Sequence, residues 1–117
     1  MTRYLIFNET GFGMAILIAD HNTSEDRKLL CTIAEVDTTT FGYLWDIIEA
    51  RYKRLKGTDN EHTNHTNLPF KAYISNKTDY VIEYDTSMIH KLIGLFSLIK
   101  AWAEFNYCNE LELKELY

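Results

Sequence analysis

Ser87–Asn106, SMIHKLIGLFSLIKAWAEFN, is the stretch on which the reading of this chain turns. At about 100° per residue, Ile89, Leu92, Ile93, Phe96, Ile99 and Ala103 fall on one stripe of a helix. Met88, Leu95, Leu98, Trp102 and Phe105 fall on a second stripe beside it. Together the stripes cover about 240° of the surface, against the ~100° that an ordinary surface helix buries. Even the remaining strip, His90, Gly94, Ser97, Ala101 and Glu104, is mostly small. A helix of this kind is either the centre of the fold or half of an interface. The second stripe, Met88, Leu95, Leu98, Trp102 and Phe105, is therefore the candidate partner-binding surface, for a second copy of the chain or for another protein.

Upstream, Arg3–Asn8 and Met14–Asp20 are rich in β-branched, aromatic and aliphatic residues. Gly11-Phe12-Gly13 lies between them, which predicts a hairpin. Phosphate cradling would need those glycines to open a helix, and here a strand follows. Ala15 and Ala19 share one face of the second strand, a face small enough for a helix to approach closely. Lys28–Val36 carries apolar groups on both alternating faces, the pattern of a central strand. Thr38-Thr39-Thr40 offers capping hydroxyls, and Phe41, Leu44, Trp45, Ile48, Tyr52 and Leu55 follow at helical spacing down to Gly57, a C′ candidate.

Nothing apolar occurs from Gly57 to Asn67, which reads as a mobile surface loop. Phe70, Ala72 and Ile74 alternate, as do Tyr80, Ile82 and Tyr84, with a turn over Asn76–Asp79 between them. After the long helix, Glu110–Leu116 reads as a last short strand or a frayed helical tail. The order β-β-β-α-β-β-α-(β) predicts an α+β fold: an antiparallel-rich sheet of five or six strands packed with two helices. The length of 117 residues suits a single domain over residues 1–117.

A net charge of −5 disfavours nonspecific attraction to nucleic acid or anionic membrane. The start of the chain lacks the basic, hydrophobic and small-residue succession of a signal peptide. His90, Lys91, Lys100 and Glu104 interrupt the long helix, so we expect no membrane span and a cytoplasmic protein. Cys31 and Cys108 belong to no CxxC motif and are expected to be free thiols.

Candidate chemistry is sparse. His62 and His65, flanked by Asp59 and Glu61, resemble a metal cluster in spacing only, and a polar loop accounts for them without a metal. His90 near Asp85 and Ser87 suggests a base and a hydroxyl, yet a solvated histidine beside a helix cap explains the same residues. Arg51, Lys53, Arg54 and Lys56 make the end of the first helix basic, with Tyr43 and Tyr52 nearby. They are the residues that would contact a single-stranded nucleic acid, although cations also complement a helix C-terminus. Glu25, Asp26, Asp79, Glu83, Asp85, Glu110, Glu112 and Glu115 could form an acidic face if the fold gathers them. We therefore expect no catalytic residues, no cofactor and no metal. The expected function is a small non-enzymatic protein-binding regulator or inhibitor, homodimeric, of the kind a phage or mobile element carries against a host macromolecule. The rivals are a small enzyme or ligand-binding domain with a pocket assembled by the fold, and a single-strand nucleic-acid binder.

Overall fold

The computed structural model describes residues 1–34, 36–58 and 68–117. Five strands, β1 (Thr2–Thr10), β2 (Gly13–Ala19), β3 (Lys28–Ala34), β4 (Phe70–Ser75) and β5 (Asp79–Asp85), form one antiparallel sheet in the order β3-β2-β1-β5-β4. Helix α1 (Thr38–Thr58) connects the two edge strands, and α2 (Ile93–Phe105) follows β5 through a 3₁₀ segment, Thr86–Lys91. The expected α+β architecture, an antiparallel-rich sheet of five or six strands packed with two helices, is what the chain adopts, with five strands. Among the described residues, no helix is long and apolar enough to cross a membrane.

Alternation along the strands sends Leu5, Phe7, Ile16, Ile18, Ile82 and Tyr84 to the face shared with both helices, where they join one core. α1 meets that core through Phe41, Trp45 and Tyr52; the Phe41 ring lies 4.8 Å from Tyr80 and the Tyr52 ring 5.9 Å from Phe70. α2 crosses the same face, with Phe96 5.1 Å from Tyr84 and Trp102 6.3 Å from Phe7. Ala15 and Ala19 point to the other face of the sheet, so the close helix approach expected there does not occur. That face carries a largely buried ion pair instead: Arg27 reaches Asp79 at 3.0 Å, and Asn8 donates to the same carboxylate at 2.6 Å.

Several sequence expectations are corrected. β3 is an edge strand, not a central one. The register slips between Ile16 and Leu17, pairing Ile16 with Cys31 and Leu17 with Leu29. Leu30 is the extra residue of this bulge; it is buried while Leu29 is 55% exposed, which is why the strand looks apolar on both faces in sequence. The Ser87–Asn106 stretch is not one α-helix: Thr86–Lys91 is a 3₁₀ segment kinked at Met88, with φ of −106° and ψ of 20°, and α2 begins only at Ile93, after Leu92. Asp85 caps the 3₁₀ segment by accepting from Ser87 N at 3.0 Å, and Thr86 N donates to Met1 O at 2.9 Å. Those ties fix the segment's direction separately from that of α2. Gly57 lies inside α1 and is not a C′ residue. The N-cap of α1 is Asp37, whose carboxylate accepts from Thr40 N at 2.7 Å, rather than a threonine hydroxyl. The expected loop from Gly57 to Asn67 falls, from Asp59 onward, outside the described residues.

Cys31 and Cys108 are joined by a disulfide, with 6.4 Å between their Cα atoms, which overturns the expectation of free thiols. Their separation of 77 residues leaves no local motif to reveal the pairing. The support that free thiols lent to a reducing compartment goes with it. Beyond Cys108 the chain ends in a 3₁₀ turn, Leu113–Leu116, and not in a strand. Leu111 and Leu116 are buried in the common core, Lys28 pairs with Glu115 at 3.1 Å, and the Tyr84 hydroxyl donates to Leu116 O at 2.7 Å. The tail thereby covers the part of the sheet that the helices leave open.

Candidate functional site

The two stripes have different fates because the stretch is a 3₁₀ segment followed by α2. Met88 lies half-buried in the 3₁₀ segment, out of phase with α2. Leu95 is 4% exposed, and Leu98 and Trp102 pack against the core, the Trp102 ring 5.7 Å from Phe41. Of the five candidate partner-binding residues, Phe105 alone is largely free, at 80% exposure. Tyr107, which the sequence reading did not single out, stands beside it in the chain at 86%.

The backbone explains how this aromatic pair is held. α2 ends with Tyr107 N donating to Glu104 O at 3.1 Å and Cys108 N to Ala103 O at 2.9 Å. These are the paired bonds of a Schellman cap, which requires a left-handed residue at C′. Tyr107 occupies that position with φ of 68°, where glycine is the usual occupant. The next residue, Cys108, is anchored by the disulfide to β3. An exposed aromatic in a costly conformation between a helix end and a covalent anchor is a fixed feature of the surface.

The basic residues at the end of α1 do not act together. Lys53 pairs with Glu49 at 2.8 Å, one turn back on the same helix, and Lys56 lies over the Tyr52 ring, 5.2 Å from its centroid. Arg51 and Arg54 instead line a groove between the end of α1 and the approach to α2. Lys91 enters from the opposite wall, and Leu55, Phe70 and Leu95 complete the lining. The sequence gives no sign of this juxtaposition, because Lys91 lies far along the chain and only the sheet brings it across.

The remaining candidates separate. Asp85 is occupied by Ser87 N and, at 3.2 Å, by the amino group of Met1; these contacts hold its carboxyl below the ordinary carboxylate range. His90 is exposed, and no hydrogen bond joins it to Asp85 or Ser87. Among the described residues, no group of three or more His, Cys, Asp or Glu is placed to hold a metal. The His62 and His65 cluster lies outside the described residues. Much of the proposed acidic face is internally neutralised: Asp79 by Arg27, Glu115 by Lys28, Glu112 by Lys114 at 3.0 Å. Glu83 accepts from the Tyr73 hydroxyl at 3.2 Å, and burial beside that carboxylate pushes the Tyr73 phenol up to about 12. No protein-family model, no curated protein and no solved structure matches this chain.

Proposed function

We propose that this chain is a non-enzymatic protein-binding module whose anchor is the aromatic pair Phe105 and Tyr107 at the capped end of α2. The observation that carries the reading is the exposure of both rings, 80% and 86%, on backbone fixed by the Schellman bonds and the adjoining disulfide. Large side chains presented without loss of backbone freedom on binding are the usual composition of binding hot spots. A regulatory or inhibitory role follows if the occupant is a functional surface of another macromolecule. A homodimer follows if the occupant is a second copy.

A photo-crosslinking residue placed at position 105 and activated in the native host tests this directly. A discrete adduct is expected from position 105 and not from position 43, an exposed tyrosine site on α1. An adduct of twice the chain mass identifies self-association; a heavier or lighter one identifies a different partner. Absence of an adduct, or equal yields from both positions, would overturn the reading. Phe105→Ser in the unlabelled protein should then abolish the same complex, as judged by light scattering, while leaving the circular dichroism unchanged.

A further inference from the structure

We infer that the groove between the end of α1 and the approach to α2 is a binding site for a small amphiphilic anion, a carboxylate or phosphate head on an apolar body. Arg51 and Arg54, three residues apart on one side of α1, face Lys91 across the groove. Among the described residues, no carboxylate lies within 4.0 Å of any of the three. Elsewhere most of the described cations have a carboxylate partner, among them Arg3 with Asp20, Arg27 with Asp79, Lys53 with Glu49 and Lys100 with Glu104. In a protein of net charge −5, three cations that converge on one groove with no carboxylate partner among the described residues call for an anion.

The α1 dipole accounts for some basic charge at its C-terminal turns, but Lys91 belongs to the opposite wall and is no part of that helix. Between the cations, Leu95 and Phe70 are each 4% exposed and Leu55 is half-buried, so the floor offers apolar contact rather than hydrogen bonds. The groove is open and has a volume of about 310 Å³, at the small end of ligand sites. Guanidinium groups match carboxylate and phosphate oxygens in paired geometry. A head held by Arg51, Arg54 and Lys91 would leave an attached chain lying on Leu55 and Leu95.

Single-stranded nucleic acid is the less favoured occupant. Its binding rests on exposed rings that stack bases, whereas Phe70 is buried and Tyr52 is engaged by Lys56 and Phe70. A polyanion also meets the repulsive net charge of the whole chain.

The probe is 8-anilinonaphthalene-1-sulfonate, an anion on an apolar body, titrated by fluorescence into the intact protein. The inference predicts a single equivalent bound, displaced by decanoate or decyl phosphate far better than by decanol or inorganic phosphate. Arg51→Gln with Arg54→Gln should weaken it about tenfold or more, the loss of charge-assisted bonds, and Lys91→Gln should weaken it in the same direction. Gln keeps helix propensity, and circular dichroism verifies that the variants fold. Phe105→Ser should leave the affinity unaltered, which separates this site from the aromatic anchor. Unchanged affinity in the double variant, equal displacement by decanol, displacement by oligothymidylate at lower concentration than decanoate, or sensitivity to Phe105→Ser would each overturn the inference.

Discussion

Gly13 shows how a single position is dictated by its neighbours. It sits at the start of β2 with φ of 150°, and a Cβ there would overlap the carbonyl oxygen of Ile33 on β3. Thr10 closes the same turn by donating its hydroxyl to Gly13 O at 3.1 Å and accepting from Phe12 N at 3.1 Å. Gly13→Ala should therefore cost at least about 2 kcal/mol, read as a lowered urea midpoint; a midpoint equal to wild type would contradict the close approach. Asp37 is governed by protonation. Hydrogen bonding from the Thr40 backbone holds its carboxyl below the ordinary range. Its stabilisation is complete above the unfolded-state value and is lost as the pH falls through the lower folded value. Asn caps a helix as well as Asp but does not titrate, so Asp37→Asn should flatten the fall of melting temperature on acidification. Parallel pH profiles for the two proteins would remove the cap from the account.

The elements themselves were largely readable, and the reasons for the exceptions are physical. Period-two and period-three-point-six patterns marked both hairpins and α1, because each buries one face. They failed at Leu29-Leu30, where a bulge mimics burial on two faces, and over Ser87–Leu92, where apolar periodicity runs on through a 3₁₀ segment kinked at Met88. The cap of α2 was also hidden, since Tyr107 carries none of the glycine signal that usually announces a left-handed C′. Tyr107→Gly should raise stability by about 1 kcal/mol while weakening any complex made through this end of the helix. A stability gain with no loss of binding would assign Tyr107 to structure alone. Of the candidate site, Phe105, Arg51 and Arg54 were legible as residue types, but their companions Tyr107 and Lys91 depend on a cap and on a crossing that no local pattern encodes.

At the scale of the whole molecule, the surplus apolar surface of Ser87–Asn106 is mostly absorbed within the chain. α2 is flanked by the sheet, by α1 and by a tail that carries Cys108, Leu111 and Leu116 into the core. The last of these was invisible as a core element because its leucines follow neither strand nor helix spacing. The tail depends on the Cys31–Cys108 bond, which closes a span of 77 residues. Cys108→Ser should cost about 4 kcal/mol on the chain-entropy view, and reductant should shift the urea midpoint of wild type to that of the variant. Two titratable thiols in unreduced, denatured wild type would refute the linkage.

The same bond has a mechanical consequence. Pulled from its two ends, the oxidised chain can extend only over residues 1–30 and 109–117, while the rest of β3 and all of α1, β4, β5 and α2 stay inside a closed covalent ring. Its contour would lengthen to roughly 140 Å, against roughly 410 Å once the ring is opened, at about 3.5 Å per residue. An optical trap would thus read the redox state of this protein as a length.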